Sequence, residues 1–178
     1  MTSPRVCALA TTPVKGTALH FPESVELTAD GVVTNRSFYL VDDRGRMVNG
    51  KRHGTLVALR ADYQPDADRL TLEFPDGTEV AAPVSRLDQR VETNFYGRPV
   101  AGRVLGGPWT EALSDYLDAP VRLVASERSG DAVDVAIKSE VAAGEGVSPV
   151  FGTSGPITAT TYAAVGVSAC NMLVSEAS

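Results

Sequence analysis

The feature that most constrains this chain is the stretch RLTLEFPDG at residues 69–77. Leu70, Leu72 and Phe74 alternate with Thr71 and Glu73. Successive side chains on a strand point to opposite faces, so this order gives one apolar and one polar face. Pro75-Asp76-Gly77 is strong turn chemistry and returns the chain into residues 78–84.

The same grammar runs from the start of the chain to about residue 105. Residues 5–10 are short and mostly apolar, and Val25 and Leu27 alternate with Glu26 and Thr28 before the turn Ala29-Asp30-Gly31. Residues 37–41 (SFYLV) are aromatic and β-branched. They enter Asp42-Asp43-Arg44-Gly45, a hairpin turn, with a return strand at 46–49. Residues 56–63 alternate again, and residues 90–95 and 98–105 flank a break at Tyr96-Gly97. Short strands with turn signals at this spacing indicate a mainly β barrel or sandwich rather than a βαβ sheet. No internal repeat is evident.

The pattern changes after Gly106-Gly107-Pro108. Trp109, Leu113, Tyr116 and Leu117 fall on one helical face, with Pro108 near the first turn. Asp118-Ala119-Pro120 ends this helix, and residues 121–125 (VRLVA) read as a strand entering a second unit. Beyond residue 128 the only basic residue is Lys138; Ala, Gly, Ser and Thr dominate, and no period is sustained. Ser148-Pro149 and Gly155-Pro156 interrupt any element there.

Composition removes several classes of function. A net charge of -6 and a pI of about 4.9 argue against nucleic acid and anionic membranes as partners. Residues 146–175 carry no charge, but Thr, Ser, Gly and Pro stand where a bilayer demands Leu, Ile and Phe. The N-terminus lacks the apolar core of a secretory signal. Cys7 and Cys170 are far apart, and His20 and His53 add no zinc-ligand spacing, so the thiols read as incidental ones in a reducing cytoplasm. No P-loop, GxGxxG or GxSxG is present, no spacing selects a catalytic triad, and Asp42-Asp43 reads as a solvated turn.

Three cationic positions remain. Lys15 stands in TPVKG, Arg36 follows GVVTN, and Lys51 lies in NGKRH after the hairpin. Placed at the ends of different strands, such cations can converge at one mouth of a barrel. A phosphate suits that place, because lysine is a point charge and arginine forks two donors onto phosphate oxygens.

The order of these segments resembles a known family. Pro13-Val14-Lys15, then Gly31 and Arg36 running into FYLVDDRGRMV at 38–48, then Leu56 and Leu59, is similar to the N-terminal β-barrel domain of MOSC proteins. That name refers to the molybdenum cofactor sulfurase C-terminal domain, and the group includes amidoxime-reducing molybdenum enzymes. The resemblance covers residues 4–105 and extends more loosely to 125.

It implies a mainly β fold with three parts: an N-terminal MOSC-type barrel over residues 1–105, a linker helix and first strand of a truncated MOSC domain over 106–128, and an atypical tail over 129–178 that is disordered or out of frame. A domain cut short in this way would expose the apolar residues between Trp109 and Val124.

The resemblance also implies that Lys15 and Arg36 hold the phosphate end of the molybdenum cofactor (molybdopterin), with Lys51 as a further cation. It carries a family-level association with pyridoxal phosphate, and in intact relatives a two-electron reduction of N-oxygenated substrates, or sulfur handling, with an electron-transfer protein as partner.

This chain departs from the pattern in three places. Gly16 stands where serine is frequent, Asn35 stands where an acid precedes the arginine, and Cys170 lacks the arginine-rich surroundings of the family's metal-ligating cysteine. The expectation is therefore a binding barrel with no catalytic or metal-ligating residue of its own. The alternatives are a non-catalytic module for a phosphate-bearing small molecule or a protein partner, and a truncated product with no independent function.

Overall fold

The computed structural model describes residues 5–28, 31–95, 97–128 and 173–175. The chain begins with β1 (Arg5–Ala8), the short strands β2 (Leu27–Thr28) and β3 (Gly31–Val32), and the hairpin of β4 (Phe38–Asp42) and β5 (Met47–Val48). A 3-10 turn at Gly54–Ala58 leads to β6 (Arg60–Gln64), β7 (Arg69–Glu73) and β8 (Glu79–Pro83). Then come β9 (Ser85–Phe95), β10 (Arg98–Gly106), α1 (Trp109–Leu117), β11 (Val121–Ser126) and β12 (Leu173–Ser175).

Five strands make an antiparallel sheet in the order β5-β4-β11-β10-β9, and β6-β7-β8 make a second sheet of three. The larger sheet curls until its ends approach: the Thr93 hydroxyl on β9 donates to the carbonyl of Gly45, in the turn before β5, at 3.2 Å. Its inner face carries Tyr39, Val41, Phe95, Val100, Val104 and Val124. Its outer face carries Phe38, Leu40, Leu105, Val121 and Leu123, which share one core with Leu70, Leu72 and Phe74 of the second sheet and with Trp109, Leu113 and Leu117 of α1. Burial on both faces explains why SFYLV reads as a continuous apolar run, whereas RLTLEF alternates.

Close packing inside the curl requires glycine at one point. A Cβ on Gly102 would lie 2.5 Å from a Val124 methyl carbon and 2.7 Å from the Tyr39 hydroxyl.

Several expectations are met. The turn at Asp42-Asp43-Arg44-Gly45 is a hairpin turn held by Asp42, whose Oδ1 accepts the amides of Arg44 (2.9 Å) and Arg46 (2.8 Å). Its Oδ2 accepts from Arg46 Nε at 2.7 Å. Desolvation pushes the Asp42 pKa up, but these bonds from Arg46 and Arg44 outweigh it, and the net shift is downward. The helix has its expected face, with Trp109, Leu113 and Leu117 buried.

Other expectations change. Residues 56–59 are not strand: Leu56 and Leu59 are both fully buried while Val57 and Ala58 face solvent, a three-residue spacing that fits a 3-10 turn. β9 begins at Ser85, well before residue 90, because its first six residues are exposed on both sides and show no alternation.

The apolar residues between Trp109 and Val124 are not left bare. Trp109, Leu113, Leu123 and Val124 are buried, and β11 is the middle strand of the barrel sheet, between β4 and β10. Among the described residues, α1 and β11 therefore share a core and a sheet with strands that precede residue 105. Of the 129–178 tail, only Leu173–Ser175 lies within the described residues, and it pairs antiparallel with β1. Cys170 lies outside them. Among the described residues no helix is long and apolar enough to cross a membrane.

Candidate anion-binding site

The turn that carries Lys15 is built by pairing, not by exposure. Val14 is fully buried and forms a parallel bridge to Phe38. The Lys15 amide donates to the Phe38 carbonyl at 2.8 Å, and the Phe38 amide donates to the Pro13 carbonyl at 3.0 Å. One step earlier, the Arg36 amide donates to the Thr12 carbonyl at 2.6 Å. The Thr12 amide in turn donates to Asn35 Oδ1 at 3.1 Å. The segments of Lys15 and Arg36 are thus stapled side by side over a sequence gap of about twenty residues, a placement that only long-range pairing can make.

Hydroxyls lock the turn from within. The Thr12 and Thr17 hydroxyl oxygens are 2.7 Å apart, and the Thr17 hydroxyl donates to the Val14 carbonyl at 2.8 Å. Gly16 has φ 91°, and a Cβ there would meet a Leu56 methyl at 3.0 Å. Both facts account for glycine where the family resemblance suggests serine.

Lys15 is only 4% exposed and Arg36 only 9%. The Lys15 ammonium lies 5.5 Å from the centroid of the Phe95 ring, within cation–π range, and Phe95 packs edge-on against Tyr39 inside the curled sheet. Arg36 sits at φ 52°, in the left-handed region, as does Thr34 at φ 65°. A non-glycine residue there costs about 1–2 kcal/mol, and such strain concentrates at sites where the geometry is used. The other buried polar residues of the described chain are Thr12, Thr17, Asn35 and Thr93.

Lys51 is placed differently. It is exposed, and its amide donates to Asn49 Oδ1 at 3.0 Å. The loop nevertheless lies beside the Lys15 turn, because a Cβ on Gly16 would be 3.6 Å from the Gly50 amide nitrogen. Lys51 is an exposed residue in a loop next to the Lys15 turn.

The sequence did not single out Thr12, Thr17 or Phe95, and it marked Asn35 only as a departure from the acid that precedes the arginine in the family. In the structure the Asn35 side chain braces the backbone of the neighbouring turn. Among the described residues no group of three or more His, Cys, Asp or Glu could hold a metal ion.

A family model described as the MOSC N-terminal beta barrel domain matches residues 3–120. No curated protein matches the chain. Among solved structures, the solution structure of a protein from Bordetella bronchiseptica is similar at 13% identity, over 60% of this chain and 90% of that chain, with a TM-score of 0.39.

Proposed function

Because this chain belongs to the MOSC N-terminal beta barrel domain family, we propose that the end of the barrel holding Lys15 and Arg36 grips the phosphate of a small-molecule cofactor. The molybdenum cofactor is the one the family suggests. The observation that carries this reading is the stapling of two buried cations from separate segments, one of them on strained backbone.

The pairing of the two segments sets a lysine and an arginine at neighbouring places on the backbone, an arrangement that suits an anion. The donor types suit a phosphate: the Lys15 ammonium supplies point charge and the Arg36 guanidinium a planar fork. Lys51 adds an exposed charge in the neighbouring loop.

When bound, the cofactor supplies the redox chemistry. The barrel residues bind it, orient its phosphate end and exclude water from that end. No described residue is assigned a catalytic step. Cooperation of the barrel with a metal-ligating segment follows from the same reading.

The test is binding of molybdopterin, and separately of inorganic phosphate and pyridoxal phosphate, to the full chain and to Lys15→Met and Arg36→Gln. Hydrogen bonds to a charged group contribute about 1.5–3 kcal/mol, so each variant should weaken molybdopterin binding about 10- to 100-fold. Circular dichroism checks that both remain folded. Unchanged affinity in two folded variants refutes the clamp. Phosphate or pyridoxal phosphate bound through Lys15 and Arg36, with molybdopterin ignored, would instead make this a non-catalytic module for another phosphate-bearing molecule.

A further inference from the structure

A second pair of arginines lies where the two sheets meet. A cavity of about 360 Å³ is lined by Arg86, Arg103, Ala125, Ser126 and Glu127. A smaller one of about 160 Å³ is lined by Ser37, Phe38, Tyr63, Arg86, Ala125 and Ser126. They share Arg86, Ala125 and Ser126, so they form one cleft, with Arg86 reaching it from β9 and Arg103 from β10. We propose that this cleft is a separate oxyanion site, in which Arg86 and Arg103 receive a carboxylate or phosphate group.

Arg86 is held ready for that role from behind. Its Nη1 donates to Asp68 Oδ2 at 3.0 Å, and the other oxygen of Asp68 accepts the Tyr63 hydroxyl at 2.7 Å. The Asp68 amide is tied to the Pro65 carbonyl, and its own carbonyl accepts the Val84 amide at 2.6 Å, so the carboxylate is anchored at both ends of its residue. Tyr63 is fixed edge-on against Phe38, with ring centroids 4.9 Å apart. A guanidinium has five N–H donors, and a carboxylate that takes one edge orients the others.

Arg103 is less committed. Its contact with Asp88 is long, at 3.8 Å, and Asp88 is fully solvent-exposed, so that pair holds the guanidinium only weakly. Glu127 is the one acid lining the cleft, and its carboxylate is drawn to Arg90 at 2.7 Å. Ser126 is held by its amide and hydroxyl on the Ser37 carbonyl, at 2.9 and 3.1 Å, which fixes the wall between the two cavities.

The experiment is an amide NMR titration of the full chain with inorganic phosphate and, separately, with succinate, which distinguishes the two sources of the oxyanion. Saturating shifts at Arg103 and Ser126 are expected with at least one of them. Arg103→Gln, a substitution at the surface, should weaken that binding by about tenfold, and Lys15→Met should leave it unchanged. Absence of saturation with both anions overturns the proposal, as does equal binding by a folded Arg103→Gln. Loss of the Arg103 and Ser126 shifts in Lys15→Met would also overturn it, because the binding would then belong to the clamp.

Discussion

β4 buries every side chain from Phe38 to Val41, whereas β7 buries Leu70 and Leu72 and turns Arg69 and Glu73 to solvent. The two strands have the same length and lie in adjoining sheets. They differ because β4 has a core on each side, the inside of the curl and the layer shared with β7 and α1, while β7 has only the shared layer. Position in the layers, more than strand propensity, sets the residue pattern.

The largest expected effects fall where the two strands are alike. Leu40→Ala and Leu72→Ala both empty the shared core, and each should cost about 3 kcal/mol of unfolding free energy, measured by urea denaturation. A loss in only one of them would mean that the two sheets do not share a cooperative core.

The next test separates the strands. Val41→Thr places a hydroxyl inside the curl and should cost about 1–2 kcal/mol. The reverse change on the other strand, Thr71→Val, should stay within about 0.5 kcal/mol, because that face is partly open. Equal costs would break the contrast between two-sided and one-sided burial.

The smallest effect concerns the join between the sheets. Burial pushes the Asp68 carboxyl upward, but hydrogen bonds from Tyr63 and Arg86 and the Arg86 charge hold its pKa below the ordinary value. A depressed carboxylate contributes stability that is present above the unfolded-state pKa and is lost as pH falls through the folded one. Asp68 and Arg86 are both nearly half exposed, so the contribution is screened and amounts to about 1 kcal/mol or less. The stability gap between the wild-type chain and Asp68→Asn should therefore narrow as pH falls below the ordinary aspartate value. A gap that widens on acidification would contradict that sign.

Local pattern made much of this fold legible. The RLTLEF alternation, the Asp42-Asp43-Arg44-Gly45 turn and the Trp109, Leu113, Leu117 face each depend on neighbours within a few residues. The start of β9 did not show, because a strand exposed on both faces has no period to read. The turn at Leu56 and Leu59 was hidden because a short apolar run fits a strand as well as a tight helix.

The candidate site was legible only in part. Lys15, Arg36 and Lys51 stood out as cations in an order resembling a family. Their burial did not, nor did the support from Thr12, Thr17, Asn35 and Phe95. The Asn35 and Phe95 contacts join segments far apart in sequence, and the Thr12 and Thr17 bonds, though local, belong to a turn whose shape that long-range pairing sets.

The place of β11 has a consequence for how the molecule is made. The central strand of the five-stranded sheet is the last of the five in sequence, and its Leu123 pairs with Leu40, far earlier in the chain. A growing chain that has emerged only as far as β10 has two strand edges waiting for a partner not yet synthesised. Pairings of such high contact order are slow to form. Until residues 121–126 arrive, β4 and β10 are templates for any passing strand, and assembly of the barrel is closed by its final piece rather than begun by its first.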